Sequence, residues 1–196
     1  MEYLITQYSL ESGALEIQYI EEFFGEFPRR KTAADVINRL QDRQSLILMA
    51  EATLSDGLGT RVPVAYKVMH EIKSHETDPK MCDLIARLGD CVQFDGRRIL
   101  YSWIGATRSD WRGQGHFRAL TEESEAWAVA HGYNEVVVKT KNRYYGMRST
   151  LTQLKFDVIK YERNDDHNDE SKVYMSKLLT AEMVAGHRSM RSVVQA

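Results

Sequence analysis

The sequence predicts an α/β fold around one strand–loop–helix–strand unit, and three observations support this. An apolar and aromatic run over residues 99–106 is typical of a buried strand. A later run, Val136-Val137-Val138, indicates a second buried strand. Between them, a helical pattern ends before Gly132 and places four apolar residues near one face: Phe117, Leu120, Trp127 and Ala130. Strand, loop, helix and strand in this order form a βαβ unit.

Composition limits the possible classes of protein. The 196 residues suffice for one domain with a sizeable core. Hydrophobic residues make up 43% and charged residues 28% of the chain, as in ordinary soluble globular proteins. A net charge of −2 argues against a general nucleic-acid partner. No apolar run approaches a membrane span and no secretion signal is visible, so we expect a cytoplasmic protein without a membrane partner.

The chain before residue 99 predicts a lead-in, two helices and a strand pair. Residues 3–9 alternate loosely and predict a first strand or a loose lead-in. After a helical stretch over 12–24, Thr32 predicts the N-cap of a helix that runs to about Asp42. Two apolar strands follow, which we expect to pair antiparallel through a turn at Asp56-Gly57: residues 45–53 and 62–72.

The pattern after the βαβ unit predicts a second helix and a closing hairpin. The helix is expected over residues 142–154, where apolar residues recur at helical spacing. The hairpin strands are expected over 156–163 and 172–179, joined by a polar linker that we predict to be mobile. The tail, 180–196, has weak helical periodicity.

Two glycines stand at the start of the central helix, within the segment 111–120. The first N–H groups of a helix have no partner inside it, and the helix dipole makes this end positive. Such a place binds anions, and a side chain at Gly113 or Gly115 would keep a phosphate from the backbone. The loop matches neither the P-loop nor the dinucleotide fingerprint. The alternative is a glycine-containing turn that merely starts a helix.

This loop resembles the pyrophosphate loop of the GNAT superfamily, the acyl-CoA-dependent N-acyltransferases. The family motif is Q/R-x-x-G-x-G/A, and here it reads Arg112 to Phe117, with phenylalanine in place of the last glycine or alanine. An Asp110-Trp111 pair precedes it, and Leu154-Lys155-Phe156 resembles the family's Leu-Gly-Phe. The resemblance extends over residues 45–179. It implies a GNAT-like central sheet that is mixed, mostly antiparallel and twisted, flanked by helices.

The resemblance also implies a domain plan. We expect one GNAT-like acetyltransferase domain over residues 1–179 and a tail over 180–196. Residues 74–97, with a short helix over 81–88, form an insertion between strands. Three roles for the insertion stay open: shaping acceptor specificity, covering the surface as a lid, or contacting a second copy in a homodimer.

Acetyl-CoA is the co-substrate that the resemblance implies. Amides from Gly113 to Arg118 would hold its pyrophosphate, and the backbone of the strand before the loop would pair with the pantetheine arm. A backbone N–H around Ala106 would meet the thioester oxygen. Lys139, Lys141 and Arg143 are rim cations that would meet phosphate or be solvated. The expected CoA-binding residues are Gly105, Ala106, Thr107, Arg112, Gly113, Gln114, Gly115, His116, Phe117, Arg118, Asn142 and Tyr144.

The catalytic acid is less clear. Many family members carry a tyrosine five residues before the phenylalanine of Leu-Gly-Phe, but here that position is Leu151, which cannot donate a proton. Tyr144 and Tyr145 are therefore the candidate catalytic residues, acting from a shifted position. Two alternatives stay open: these tyrosines only line the pocket, or the thiolate leaves without a dedicated acid.

The base is equally open. His70, Glu71 and Glu26 are candidates, and the alternative is that each is a surface or hydrogen-bonded structural group. A chain of waters beside an exposed amine is a further possibility. The segment Tyr101-Ser102-Trp103 lies beside the expected acceptor groove, although Trp103 is equally consistent with the core.

These expectations define a reaction and its alternatives. No cysteine lies near the loop, so we expect direct transfer of acetyl to a primary amine in a ternary complex. The second hypothesis is a non-catalytic acyl-CoA-binding or sensing relative, and the third is another nucleotide-phosphate binder. No metal is expected, because the spacing of four candidate ligands departs from that of zinc sites: His70, His75, Cys82 and Cys91.

Overall fold

The computed structural model of the protein describes residues 3–11, 14–22, 31–54, 59–187 and 193–195. The helices in these ranges are α1 Ala14–Glu22, α2 Ala33–Leu40, α3 Pro79–Leu88, α4 His116–Ala130, α5 Tyr145–Gln153 and α6 Ala181–Ala185. The strands are β1 Tyr3–Tyr8, β2 Ser45–Thr53, β3 Arg61–Ile72, β4 Ile99–Thr107, β5 Glu135–Lys141, β6 Asp157–Glu162, β7 Lys172–Leu178 and β8 Val193–Gln195. Among these helices, none has the length and apolar character needed to cross a bilayer.

The strand order is β6-β7-β5-β4-β3-β2-β1-β8. The pairs β1–β2, β2–β3, β5–β7 and β6–β7 are antiparallel, whereas β4–β5 and β1–β8 are parallel. The predicted mixed, mostly antiparallel sheet is therefore confirmed. Pairing of β4 with β5 ends at Ser102 and Val138, although β4 itself continues to Thr107.

The chain separates into two compact units, and the first comprises Met1–His70, Ile104–Ser124 and His187–Ala196. Its core lies on β1 to β3, where most side chains of β2 and β3 are buried. Thr32 caps α2 as predicted, since its side chain accepts from the Asp35 N–H at 3.1 Å. The turn predicted at Asp56-Gly57 lies outside the described residues.

The second unit comprises Glu71–Trp103 and Glu125–Gly186. The helix of the predicted insertion, α3, is part of its core. Three of its side chains are buried in a cluster with residues of β3, β4, β5 and β7: Met81, Leu84 and Leu88. Asp78 caps α3 by accepting from the Lys80 N–H at 2.7 Å. The insertion therefore covers apolar sheet residues of this unit.

The helix predicted over 142–154 begins later, at Tyr145. The reason lies in the linker between β6 and β7. The Asn142 N–H donates to the Ser171 carbonyl at 2.8 Å, and the Arg143 N–H donates to the Asp169 carbonyl at 3.1 Å. These bonds hold residues 142–143 beside the linker and outside the helix. The linker predicted to be mobile contains a short 3-10 helix at Asn168–Glu170 and is tied by the same bonds.

The tail predicted from 180 onward contains two elements. Thr180 caps α6, because its hydroxyl accepts from the Met183 N–H at 3.2 Å. β8 then pairs in parallel with β1, with Ile5 opposite Val193. A three-residue edge strand carries too little periodicity to be found in a sequence, since its pairing supplies the stabilisation.

A buried ion pair holds the part of α4 that belongs to the second unit, from Glu125 onward. Lys177 Nζ on β7 lies 2.7 Å from Glu125 Oε2 on α4, and the two side chains are 5% and 0% exposed. The same ammonium lies 5.5 Å from the centre of the Phe156 ring. A buried pair of this kind stabilises little against an apolar replacement, but losing one partner leaves an uncompensated charge. The pair therefore specifies where α4 sits on β7.

Helix α5 ends in a Schellman motif, formed by the segment Leu154-Lys155-Phe156 and the last turn of the helix. The Phe156 N–H donates to the Leu151 carbonyl at 3.0 Å, and the Lys155 N–H donates to the Thr152 carbonyl at 3.0 Å. Lys155 occupies the left-handed position of this motif, with φ +67°. Glycine adopts this conformation without steric cost, whereas a residue with a Cβ is strained there.

We expect Lys155→Gly to raise the free energy of unfolding by about 1 kcal/mol, because it relieves the left-handed strain of an exposed lysine. Urea denaturation followed by circular dichroism measures this. Lys155→Ala is the matched control and should give no gain, since alanine keeps the Cβ that causes the strain. Equal stabilisation by both variants would mean that the lysine side chain, and not its φ, carries the cost.

Candidate functional site

The segment after β4 turns sharply before α4 begins. A short 3-10 helix, Ser109–Trp111, follows the strand. The Arg108 N–H donates to the Val64 carbonyl at 3.0 Å, and its guanidinium binds both carboxylate oxygens of Asp110 at 3.1 and 2.7 Å. The Arg112 Nε then donates to the Thr107 carbonyl at 3.2 Å. These bonds tie the start of the loop to the end of the strand, within the first unit.

Two glycines with positive φ form the loop itself. Gly113 has φ +78° and Gly115 has φ +85°, a conformation in which other residues are strained. A Cβ at either position would meet no heavy atom within 4 Å, and residues 112–115 are exposed. The backbone therefore lies open to a ligand, and the turn needs glycine for its conformation rather than for packing against the protein.

The backbone N–H groups at the start of α4 precede the first i to i−4 hydrogen bond of the helix. The Ala119 N–H donates to the Gly115 carbonyl at 3.0 Å, which starts the i to i−4 ladder. The N–H groups of residues 114–118 precede this bond. Together with the positive end of the helix dipole, they give this corner a preference for anions. The structure thus brings together the loop residues predicted to bind CoA, from Arg112 to Arg118.

Two side chains of this turn have contacts within the protein, those of His116 and Arg118. His116 is 3% exposed, and its ring centre lies 5.9 Å from that of Trp111. Burial lowers the pKa of His116 below its usual value. Arg118 Nη1 lies 3.4 Å from Glu122 Oε1.

Sequence reasoning missed a buried lysine in this unit. Lys67 on β3 is 2% exposed, and its Nζ donates to Thr121 Oγ1 at 3.3 Å. A lysine inside the strongly apolar strand over 61–72 was the available signal. The Lys67 ammonium therefore contacts the first part of α4. The Thr121 hydroxyl that it binds also donates to the Phe117 carbonyl at 2.8 Å.

The predicted residues after β5 belong to the second unit. Asn142 is 8% exposed, and its side-chain amide donates to the Asn168 carbonyl at 3.3 Å. Arg148 Nη1 donates to the Asn142 carbonyl at 2.9 Å. The Asn142 side chain is thus used to join β5, α5 and the linker.

The candidate tyrosines lie at the start of α5. Tyr144 occupies the N-cap position, and the Arg143 guanidinium lies 5.3 Å from its ring centre. Tyr145 is 60% exposed, and its hydroxyl lies 3.4 Å from Asp169 Oδ1. Leu151, in the position of the family tyrosine, is 0% exposed and belongs to the core.

Comparison with solved structures finds acetyltransferases. NAA60 of Arabidopsis thaliana, crystallised with acetyl-CoA, gives a TM-score of 0.68 at 11% identity, over 90% of this chain and 98% of that chain. The polyamine N-acetyltransferase of Drosophila melanogaster gives 0.66 at 18% identity, over 91% and 100%. The ribosomal-protein-S18-alanine N-acetyltransferase of Escherichia coli gives 0.60 at 12% identity, over 91% and 95%. The chain has the GNAT acetyltransferase fold. No protein-family model and no curated protein sequence matches it.

Within the GNAT fold, the candidate bases have structural surroundings. His70 is 0% exposed. Glu71 accepts from Arg98 Nε at 3.0 Å, and Glu26 lies outside the described residues. Tyr101 is part of the apolar cluster of the second unit, and Trp103 packs against it. The structure thus places these groups in the core or in contact with other side chains.

A polar cluster of the second unit was also missed. Tyr174 is 0% exposed, and the Lys139 Nζ lies 5.7 Å from its ring centre. Burial lowers the pKa of Lys139, and the positive charge of nearby Lys172 lowers it further. Burial raises the pKa of Tyr174. Of the other rim cations, Lys141 and Arg143 both pair with Glu170.

In the described part of the chain, no three His, Cys, Asp or Glu side chains are grouped to hold a metal.

A surface depression of about 440 Å³ lies elsewhere in the first unit. It is lined by residues at the end of β1 and the start of β2, among them Tyr8, Arg43 and Ser45. The strand registers place Tyr8 opposite Ile47 and Ile47 opposite Val68, whereas the loop adjoins Val64. The depression is therefore toward the other end of these strands and is separate from the glycine loop.

We expect the buried His116 to make stability depend on pH. Its pKa is lowered in the folded state from the usual 6.5, so below that value the unfolded chain binds more protons. The free energy of unfolding should therefore fall between pH 7 and 5.5, and His116→Gln should reduce that slope. Urea denaturation at both pH values measures it, with exposed His75→Gln as the control. An unchanged slope in His116→Gln would contradict the assignment.

Proposed function

We propose that the protein is an acetyl-CoA-dependent N-acetyltransferase that moves acetyl to a primary amine. The observation that carries the proposal is the open glycine loop at the front of α4, in a chain with the GNAT fold. NAA60 of Arabidopsis thaliana binds acetyl-CoA in its crystals, which supports the same co-substrate here. The acceptor class is left open, because the similar structures include both a polyamine and a ribosomal-protein acetyltransferase.

The proposed grip on CoA is almost wholly main chain. The diphosphate binds the amides of residues 113–118, and the pantetheine arm pairs with Gly105-Ala106-Thr107. Gly105 lies in close contact with β3, since a Cβ there would lie 3.0 Å from the Tyr66 carbonyl oxygen of that strand. Main-chain binding makes few demands on side-chain identity, so the site can persist while most of the sequence differs.

Transfer is proposed as direct attack in a ternary complex. The amine nitrogen attacks the thioester carbonyl carbon, the carbon–nitrogen bond forms, and the carbon–sulfur bond then breaks. The amine loses one proton to water or a base, and the thiolate gains one, giving the amide and free CoA. An N–H of the strand around Ala106 stabilises the carbonyl oxygen as it gains negative charge.

The proposal also keeps residues 1–179 as one domain.

The second candidate function is a non-catalytic acyl-CoA-binding relative. The fully buried Leu151 favours it, since many members of the family have a proton-donating tyrosine at this position. Release of free thiol from acetyl-CoA in the presence of a panel of amines separates the two candidates. Amine-dependent release supports the transferase, whereas acetyl-CoA binding without release supports the binding protein.

We expect Gly115→Glu to abolish CoA binding, because it adds bulk and negative charge where the diphosphate approaches. Isothermal titration calorimetry measures the affinity. Gly96→Glu is the matched control, since Gly96 also has a positive φ, +67°, and open space at its Cβ. Both variants carry the same backbone strain, and only Gly115→Glu should lose CoA. Normal affinity in a folded Gly115→Glu protein would refute the loop assignment.

The tyrosines at the start of α5 are the proposed proton donors to the thiolate. If one of them acts so, Tyr144→Phe or Tyr145→Phe should lower kcat by about 10² while changing KM little, because only the proton transfer is lost. Tyr161→Phe serves as the control, since this exposed hydroxyl donates to Asn168 in the nearby linker at 2.7 Å. Full activity in both variants would mean that neither tyrosine donates the proton and that the thiolate leaves without a dedicated acid.

A further inference from the structure

A buried cation lies beside the first turns of α4. The Lys67 Nζ lies 3.3 Å from Thr121 Oγ1 and 5.0 Å from the centre of the Phe117 ring. Phe117 is the second residue of α4, and Thr121 is one turn further on. The Lys67 side chain is held by a hydroxyl and an aromatic face, both from the helix that follows the glycine loop. Its ammonium thus has a fixed place under the start of this helix.

The stem of the same lysine runs past the strand before the loop. A Cβ built on Gly105 would lie 3.6 Å from Lys67 Cα and 3.8 Å from its Cγ. One side chain therefore extends from Gly105, in the segment proposed to pair with pantetheine, to Phe117, in the segment proposed to hold the diphosphate. All of these residues belong to the first unit. Lys67 adjoins both parts of the proposed grip.

The placement is unusual on electrostatic grounds. The front of a helix already carries partial positive charge, so a cation beside it is disfavoured and an anion is favoured. A doubly charged anion at the loop would be attracted by Lys67 through a poorly solvated region, where charges interact strongly.

We propose that Lys67 is a positioning residue for the CoA diphosphate, which it attracts as a buried countercharge behind the first turn of α4. The inference rests on the proposed function and adds to it a residue that selects the charged part of the co-substrate. Contact between the ammonium and the phosphates is not required, because the field of a buried charge extends beyond one hydrogen bond.

The decisive variant is Lys67→Met, which removes the charge and keeps most of the stem. Calorimetry should show CoA binding weakened about tenfold or more, while binding of pantetheine, which has no diphosphate, changes less than twofold. Lys67→Arg keeps the charge and should bind CoA within about threefold of the native protein. Thr121→Val removes the hydroxyl partner but leaves the charge, so it should also bind CoA nearly normally.

Each outcome decides a different question. If the native protein gives no heat with CoA, the proposed function itself fails. If native protein binds and folded Lys67→Met binds equally well, the proposed function stands and the role of Lys67 is refuted. Equal weakening by Thr121→Val, or equal loss of pantetheine binding, also refutes it, because a packing role would act so. Lys67→Gln provides a second neutral variant if Lys67→Met does not fold, with folding checked by thermal melting.

Discussion

A tight turn with left-handed backbone, set directly before a helix, is the constraint on which the candidate site depends. Gly113 and Gly115 both have positive φ, and α4 begins at the next residue. This geometry exposes amides that precede the first helical hydrogen bond, and it does so without any side chain reaching into the space. The preference for an anion follows from the backbone alone, and neighbouring side chains adjust its strength.

Such a turn binds only if the helix behind it has a fixed position. Most of the buried side chains of α4 are polar: His116, Thr121, Glu122, Ser124 and Glu125. Burying polar groups is costly unless they are bonded, so each bond restricts how the helix can sit. Glu125 binds Lys177 of β7, and Thr121 binds Lys67 of β3. Each bond holds its own part of the helix within its own unit.

The difference between local signals and contacts of residues distant in sequence explains which predictions were right and which were not. Local signals worked well: residues 45–53 form a strand with the expected bounds, and Thr32 caps α2. The apolar face expected on α4 was only partly right, because Phe117 and Trp127 are half-buried and polar side chains fill the interior. Partners distant in sequence, such as Lys67 and Thr121, leave no local periodicity. The anion loop was visible because glycine acts locally.

The catalytic side of the proposal follows a different logic from the binding side. Leu151 is packed in the core, so a tyrosine there cannot be restored by a small rearrangement. A thiolate, however, leaves far more readily than an alkoxide or an amide anion, because a thiol is a much stronger acid than an alcohol or an amine. Holding the thioester and the amine in line can therefore supply most of the acceleration. Under the proposed function, a chain that holds the diphosphate would therefore transfer acetyl even if neither Tyr144 nor Tyr145 supplied the proton.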